Sequence, residues 1–329
     1  MKIVCDDKIP FLRGVLEPYA EVVYLPGAGI RREDLLDADA LIIRTRTRCN
    51  GALLAGTPVR FIATATIGYD HIDTVWCAEH GILWANAPGC NSSSVCQWTG
   101  GVLAALSHRH GFSLAGRTLG IVGVGHVGSK VELLARELGM SPVLCDPPRQ
   151  ERERREDFTD IDTLIEKSDI ITLHTPLDDS TFHLLNKDRL EHLRPGQILI
   201  NSSRGEVVDC AALKDVLSSG RGVAAALDVW ESEPAIDTDL LELVSIGTPH
   251  IAGYSADGKA DGTAQAVRAV AEALGIEELA DFKVTDIPQA PDPVYDVLRD
   301  DALLRAHPES FEKLRSDYPL RREPLYKTY

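Results

Sequence analysis

The chain has 329 residues, 44% of them hydrophobic and 26% charged, and a formal net charge of −16 at pH 7. Its length allows two domains with separate cores, and its composition is ordinary for a globular protein. The negative charge argues against nucleic acid or an anionic membrane as the main partner, and it makes any local cluster of arginines informative.

The cysteines and the lengths of the apolar runs indicate the cellular compartment of the protein. Seven cysteines are scattered along the chain without a C-x-x-C pair, which favours buried thiols in a reducing compartment. Acidic residues interrupt the N-terminal sequence where a secretory signal would continue, and no apolar run approaches the roughly 20 residues of a membrane span. We therefore expect a cytoplasmic protein, and we predict no metal site.

The first hundred residues alternate short apolar runs with polar, helix-like segments such as Arg31 to Asp37. This alternation predicts a parallel sheet covered by helices on both faces. The predicted strands are 2–5, 21–25, 40–43, 61–63 and 81–84. A long apolar helix over 94–111 then carries the chain towards a second domain.

The alternation resumes at residue 118 and predicts six further strands, the number expected of a complete dinucleotide-binding sheet. These strands are 118–122, 142–145, 169–173, 197–200, 223–227 and 245–247. Between them, the Arg- and Glu-rich residues 147–157 are typical of a solvated loop or helix face. A second long helix, over 260–274, brings the chain back to the first domain.

These elements predict an α/β protein with two parallel-sheet domains, one inserted in the other. We assign residues 1–95 and 255–280 to a substrate domain and residues 96–254 to a dinucleotide-binding domain. The charged residues 281–329, which begin with three closely spaced prolines, form a C-terminal segment.

A glycine fingerprint joins strand 118–122 to an amphipathic helix predicted over 130–138. In such a unit the backbone and the helix N-terminus approach a pyrophosphate. Asp146, after the next strand, should accept hydrogen bonds from the adenosine ribose and repel a 2′-phosphate, so NAD is favoured over NADP; Arg149 moderates this preference. The fingerprint residues are Gly123, Gly125, His126, Val127 and Gly128.

Three residues that directly follow predicted strands fit the oxidation of a hydroxy acid. Hydride transfer needs a cation for the carboxylate, an acid/base group with a pKa near 7, and a carboxylate that orients this group. Arg204, His250 and Glu233 suit these roles. Taken singly, each has a structural interpretation, as a surface arginine, a structural histidine or a turn cap, but their joint placement after strands of one sheet favours chemistry.

Three arginines at alternate positions follow strand 40–43, in a strongly acidic protein. In an extended segment alternate side chains share a face, so Arg44, Arg46 and Arg48 would form a cationic surface. Such a surface suits a substrate with two anionic ends, and Arg44 and Arg46 are predicted substrate contacts. The alternative is a solvated edge whose arginines pair with neighbouring acids.

With these motifs in place, the chain resembles the D-isomer-specific 2-hydroxyacid dehydrogenases over nearly its whole length. The resemblance rests on residues 122–128, 201–205, 228–234 and 248–251. It implies a Rossmann domain inserted in a flavodoxin-like substrate domain, with Arg204, Glu233 and His250 as the catalytic residues. It also implies a homodimer that forms through the C-terminal segment, which is short in this chain.

Further motifs narrow the resemblance to members that oxidise 4-phospho-D-erythronate with NAD, giving 2-oxo-3-hydroxy-4-phosphobutanoate, in pyridoxal 5′-phosphate biosynthesis. These motifs are residues 64–71, 87–91, 250–259 and 295–301. The substrate contacts that this resemblance implies are Thr45, Thr66 and Tyr254. The cofactor positions that it implies are Asp146, Thr175, Ser202, Ser203, Arg204, Asp228 and Gly253.

Two other functions remain open at this point. One is a different D-2-hydroxyacid dehydrogenase, acting on 3-phosphoglycerate or on glyoxylate and hydroxypyruvate; the arginine cluster disfavours the unphosphorylated substrates. The other is an NAD-sensing binding protein that resembles the dehydrogenase-related corepressors, because a fold does not fix a function.

Overall fold

Two units make up the computed structural model, which describes residues 1–329. The first contains residues 1–91 and 255–289, and the second contains residues 92–254 and 290–329. The two long helices predicted from the sequence begin at these boundaries, at Ser92 and at Ala256. Residues 281–329, which we predict as one C-terminal segment, are divided between the units.

The first unit is built on a five-stranded parallel sheet with the order β2-β1-β3-β4-β5. Its strands are β1 (Lys2–Asp6), β2 (Glu21–Leu25), β3 (Ala40–Ile43), β4 (Phe61–Thr64) and β5 (Leu83–Ala85). This order is that of flavodoxin, in which the chain starts next to an edge and then winds to the other side. The structure confirms the flavodoxin-like topology and, within two residues, the predicted strands.

Helices cover both faces of this first sheet. They are α1 (Gly51–Leu54), α2 (Thr74–Glu79) and α10 (Ala256–Leu274). All four residues of β3 are buried, and they alternate between the faces: Ile42 packs with Val267 and Val270 of α10, whereas Leu41 and Ile43 pack in the opposite layer. Because both faces are covered, β3 is apolar throughout, as parallel strands generally are.

The second unit holds a six-stranded parallel sheet with the order β11-β10-β9-β8-β6-β7. Its strands are β6 (Thr118–Val122), β7 (Ser141–Cys145), β8 (Ile170–Leu173), β9 (Ile198–Asn201), β10 (Ala224–Leu227) and β11 (Ile246–Gly247). Phe158, which belongs to no strand, forms a single parallel bridge with Leu144 of β7. The classic Rossmann order therefore holds only if this bridge is counted as its third strand. The predicted number of strands, six, is right, but one classic strand is reduced to a bridge and β11 is additional.

The second unit also contains most of the helices. They are α3 (Ser92–His110), α4 (His126–Glu137), α5 (Pro147–Glu153), α6 (Ile161–Lys167), α7 (Lys187–Glu191), α8 (Cys210–Ser218), α9 (Thr238–Leu243), α11 (Val297–Ala306) and α12 (Phe311–Ser316). Helix α5 has no buried residue, as expected for the Arg- and Glu-rich segment. No helix of either unit is long and apolar enough to cross a membrane.

The C-terminal residues pack along α3 within the second unit. A side chain at Gly100 would overlap the ring of Tyr326, whose Cε1 lies 2.6 Å from the position of an added Cβ. The Gln97 amide donates to the carbonyls of Arg322 and Leu325, at 2.8 and 2.6 Å. Glycine in the middle of a helix is destabilising by itself, so Gly100 is explained by the close approach of the C-terminal residues.

The cysteines behave as structural thiols. Five of the seven are buried, whereas Cys90 and Cys96 are partly exposed. Burial raises the pKa of Cys145 and Cys96 to about 11 and that of Cys49 to about 12. A thiol with such a pKa is a poor nucleophile at neutral pH.

Candidate active site

The three glycines of the fingerprint differ in what surrounds them. Gly123 has φ 84°, and a Cβ there would meet the His174 carbonyl oxygen at 2.7 Å; a Cβ at Gly128 would overlap the Gly123 carbonyl oxygen. At Gly125, by contrast, no atom lies within 4 Å of an added Cβ. Gly123 and Gly128 are therefore required by the turn itself, whereas Gly125 leaves open space at the N-terminus of α4, where backbone N–H groups can receive a pyrophosphate.

Two buried hydroxyls of the second unit have no hydrogen-bond partner, namely Thr175 Oγ1 and Ser202 Oγ. They follow β8 and β9, at the carboxyl ends of the strands, where open parallel sheets bind their ligands. A buried hydroxyl without a partner costs about 1–3 kcal/mol, which a bound polar ligand can recover. Both residues are predicted cofactor positions, and the donor set fits a dinucleotide.

Asp146 connects the end of β7 to the glycine turn. Its carboxylate accepts hydrogen bonds from the backbone N–H of Val124 at 2.8 Å and of Arg149 at 2.9 Å. Arg149 in turn donates from Nη1 to the Val124 carbonyl oxygen at 2.5 Å and pairs with Glu153 through Nε at 2.8 Å. Each Asp146 oxygen keeps a lone pair for the predicted ribose contact, and the Arg149 guanidinium is held by groups of the protein.

Arg204 lies in a tight turn after β9. The buried Asn201 side chain donates to the Arg204 carbonyl at 2.8 Å and accepts from the N–H and the hydroxyl of Ser203, at 3.0 and 2.8 Å. At the following residue, Gly205, an added Cβ would overlap the backbone of Trp230. This close approach brings the turn that carries Arg204 against the segment that leads to Glu233.

Asp228 organises the loop that carries the histidine. Its buried carboxylate accepts hydrogen bonds from Thr248 Oγ1 at 2.6 Å and from the N–H groups of Ile251 and Ala252 at 2.8 and 2.9 Å. Burial raises the pKa of Asp228, against the opposing effects of His250 and of these donors. A carboxylate has about four acceptor sites, so one site remains for the predicted cofactor contact.

His250 and Glu233 form a hydrogen-bonded pair. His250 Nδ1 lies 2.7 Å from Glu233 Oε2, and Glu233 Oε1 accepts from the Trp230 N–H at 2.9 Å. Burial acts to raise the pKa of Glu233, but the hydrogen bond and charge of His250 outweigh it and lower the pKa. Glu233 is thus an anion that orients the imidazole and leaves Nε2 for a substrate. His250 has φ 56°. This backbone conformation is strained for a residue other than glycine and is often found at functional sites.

The segment that carries the arginines after β3 is not the extended segment that we predicted. Residues 44–48 form a turn, with the Thr47 N–H bonded to the Arg44 carbonyl at 3.3 Å, so alternate side chains do not share a face. Arg44 Nε pairs with the buried carboxylate of Asp6 at 3.2 Å, as the alternative of paired arginines predicts. Arg46 and Arg48 are exposed, and so is Thr45.

Thr66, in the first unit, belongs to a short chain of hydrogen bonds. Its hydroxyl lies 2.7 Å from Thr64 Oγ1, which lies 3.1 Å from His71 Nε2. The Thr66 hydroxyl also donates to the Gly68 carbonyl at 3.0 Å. The sequence motif 64–71 contains all four residues, but only the fold shows that His71 supports Thr66.

Comparisons with known proteins agree with this geometry. Residues 94–252 match the model of the D-isomer specific 2-hydroxyacid dehydrogenase, NAD binding domain. An erythronate-4-phosphate dehydrogenase of Bacteroides fragilis is 49% identical, over 98% of this chain and 97% of its own length. The chain belongs to the D-isomer-specific 2-hydroxyacid dehydrogenase family. An erythronate-4-phosphate dehydrogenase of Proteus mirabilis is 42% identical, over 98% of this chain and 93% of its own.

The solved structures of the family extend this agreement. A 3-phosphoglycerate dehydrogenase of Entamoeba histolytica with bound NAD⁺ has a TM-score of 0.73 and 26% identity, over 88% of this chain and 99% of its own. Together with the matched NAD-binding domain, this confirms NAD as the predicted cofactor. The chain is an NAD-dependent 2-hydroxyacid dehydrogenase, which disfavours the alternative of a binding protein without activity.

Proposed function

We propose that this 2-hydroxyacid dehydrogenase oxidises the C2 hydroxyl of 4-phospho-D-erythronate to 2-oxo-3-hydroxy-4-phosphobutanoate, as a step of pyridoxal 5′-phosphate biosynthesis. The observation that carries the proposal is the His250–Glu233 pair, with 2.7 Å between Nδ1 and Oε2. The relatives at 42–49% identity over nearly the full length, which are erythronate-4-phosphate dehydrogenases, support the choice of substrate.

In the proposed mechanism, His250 Nε2 accepts the proton of the C2 hydroxyl. The glycine turn, Asp146 and the hydroxyls of Thr175 and Ser202 would hold NAD, which would supply the acceptor for the hydride of C2. Glu233 keeps the imidazole in the required orientation and stabilises the imidazolium that forms, as a buried carboxylate does in other acid–base pairs. Because the pKa of Glu233 is lowered, this residue stays ionised while His250 changes charge.

Arg204 is the proposed receptor of the substrate carboxylate. A guanidinium binds a carboxylate in a bidentate manner and polarises a neighbouring oxygen. The turn that holds the Arg204 backbone is fixed by Asn201 and by the close packing at Gly205, so little backbone entropy is lost when the substrate binds.

The proposed substrate contacts of the first unit are Thr45, Thr66 and Arg46. Arg44 remains a proposed contact as well, but its pairing with Asp6 reduces the charge that it can offer to a phosphate. Arg46, which is exposed, is the other proposed phosphate contact of this turn. Replacing Arg46 by Gln should raise the KM for the phosphorylated substrate, whereas an unphosphorylated hydroxy acid should be turned over as before.

A substrate panel tests the proposal directly. NADH absorbance is followed with 4-phospho-D-erythronate, 3-phosphoglycerate, glycerate and lactate at equal concentrations. We expect kcat/KM to be highest for 4-phospho-D-erythronate. A higher value for 3-phosphoglycerate would favour the second candidate, which is supported by the similarity to a 3-phosphoglycerate dehydrogenase at a TM-score of 0.73.

We also propose that the protein is a homodimer. The C-terminal residues expose leucines that a partner could cover, with Leu303 41% and Leu325 56% exposed. Sedimentation equilibrium of the wild type and of a Leu303→Lys, Leu325→Lys variant tests this proposal. A wild type that sediments as a monomer at micromolar concentration would contradict it.

A further inference from the structure

Arg315 is a second cation beside the acid–base pair, and it comes from the C-terminal helix α12. Its Nη1 lies 4.0 Å from Glu233 Oε2, the same oxygen that lies 2.7 Å from His250 Nδ1. Both side chains of this ion pair are only 18% exposed. Pairs that are partly withdrawn from water are screened less by salt than surface pairs are.

The surroundings of Arg315 fix its guanidinium near Glu233. Cζ lies 6.0 Å from the centre of the Tyr254 ring and 5.9 Å from that of Phe311. Glu312, one turn earlier on α12, lies 3.6 Å from Nη1. Nε is buried without a hydrogen-bond partner, an arrangement that costs free energy and that packing alone does not require.

We propose that Arg315 is a positioning residue of the active site, which holds Glu233 in place and opposes the positive charge of His250. This inference rests on the proposed function, because it concerns the acid–base step of that reaction. Arg315 acts through Glu233 and does not need to touch the substrate.

The charged groups around His250 act on its protonated form in opposite directions. Glu233 and the carboxylate of Asp228 favour the imidazolium, Arg315 opposes it, and the phenol of Tyr254 adjoins Arg315. Oxidation of a hydroxyl requires the neutral imidazole as the base. Because Arg315 pairs with Glu233, it weakens the attraction of this carboxylate for an imidazolium, so loss of Arg315 should favour the protonated ring.

Kinetics of Arg315→Gln test the proposal, with Lys313→Gln as the matched control because Lys313 is exposed on the same helix. We expect Arg315→Gln to move the acidic limb of the kcat/KM profile to higher pH by about half to one unit. At pH 7 kcat should fall about tenfold or less, and the KM for NAD should stay within about twofold. In Arg315→Lys, which keeps the charge, the acidic limb should return to the pH at which it lies in the wild type. The kcat/KM profile of Lys313→Gln should match that of the wild type.

A second measurement does not depend on turnover. Diethylpyrocarbonate reacts with the neutral imidazole, and mass spectrometry follows the modification of His250, whose side chain is 29% exposed. In Arg315→Gln the pH of half-maximal modification should also rise. If it rises although no substrate of the panel is oxidised, the proposed function fails and the positioning role stands. If neither this pH nor the kinetic limb moves in a variant that still binds NADH, the positioning role is wrong.

Discussion

Two histidines of the second unit form similar pairs with a glutamate, yet only one is proposed to be catalytic. His183 Nε2 lies 2.7 Å from Glu231 Oε1, and His250 Nδ1 lies 2.7 Å from Glu233 Oε2. Glu231 also accepts a hydrogen bond from the Cys210 N–H at 3.1 Å, which caps the start of α8. The His183 pair therefore has a structural explanation, whereas the loop that carries His250 is held by Asp228, a predicted cofactor position.

The two pairs allow a controlled test of the mechanism. Replacing His250 by Ala should lower kcat by about 10²–10⁴ because the general base is lost, while the Kd for NADH should change little. Replacing His183 by Ala should leave kcat within a few fold of the wild type. Stopped-flow and steady-state assays measure kcat and NADH binding for both variants. Near-normal turnover without His250 would remove this residue from the mechanism.

His174 should make the stability of the protein depend on pH. Burial lowers its pKa to about 3, against about 6.5 in an unfolded chain. The unfolded state therefore binds a proton more readily, and the free energy of unfolding falls as pH decreases from about 6.5 towards 3. At pH 5 this group should cost about 1–2 kcal/mol relative to pH 7.5.

Urea denaturation at pH 7.5 and at pH 5.0, without NAD, measures this effect. His174→Gln should lose less stability than the wild type between the two values, by about 1–2 kcal/mol. His110→Gln provides the control, because His110 is exposed at the end of α3. An equal pH dependence in all three proteins would show that His174 takes up a proton as easily in the folded state as in the unfolded state.

At the scale of the elements, the glycine turn separates the requirements of folding from those of binding. Alanine at Gly128 would overlap the Gly123 carbonyl oxygen, whereas alanine at Gly125 meets nothing within 4 Å. Gly128→Ala should therefore lower the free energy of unfolding by about 1–3 kcal/mol. Gly125→Ala should leave it nearly unchanged but weaken NADH binding about tenfold or more, since the methyl group occupies the approach of the pyrophosphate.

Denaturation without cofactor and fluorescence titration with NADH distinguish these two effects. Gly139→Ala is a useful comparison, because Gly139 has φ 73° and lies in a turn after α4, so it should affect stability alone. If Gly125→Ala bound NADH as tightly as the wild type, the open space at the N-terminus of α4 would not be the pyrophosphate site.

Most strands could be predicted from the sequence because short apolar runs between turn residues are a local signal. The third classic strand could not, since Phe158 contributes one bridge and no run. The turn that carries Arg44 and Arg46 was not predicted either, because the prediction assumed an extended segment. The buried Asp6 that holds Arg44 lies 38 residues away in sequence, and no local pattern indicates such a partner.

The candidate site shows the same division between local and long-range information. Gly123, Arg204, Glu233 and His250 lie in motifs that can be recognised in the sequence. The partnerless hydroxyls of Thr175 and Ser202 follow from burial, which depends on the whole unit. Arg315 lies 82 residues after Glu233, in a helix of six residues that has no motif, and only the packing of α12 reveals it.

At the scale of the molecule, the C-terminal residues should be essential for the second unit. A chain that ends at Leu320 lacks Arg321, which donates to the Ala252 carbonyl at 2.5 Å, and lacks Tyr326, which covers Gly100 of α3. Losing a buried cation and an aromatic ring from one interface should lower the free energy of unfolding by about 3–5 kcal/mol.

Chemical denaturation of this truncated chain measures the loss, and Lys327→Ala is the control. Lys327 pairs with Asp296 at 2.9 Å, but its side chain is 48% exposed, and exposed pairs contribute about 1 kcal/mol or less. A truncated chain that is as stable as the wild type would show that the packing on α3 is incidental.

The interleaved connectivity also has a consequence for synthesis on the ribosome. The sheet of the first unit needs α10, from residues 256–274, to cover one face, and α3 of the second unit needs residues after 290. Neither unit can therefore complete its core until the last third of the chain has emerged, although N-terminal domains usually fold first. During that interval β3 and α3 expose apolar surface, so a nascent chain stalled near residue 250 should bind chaperones, whereas one released at full length should not.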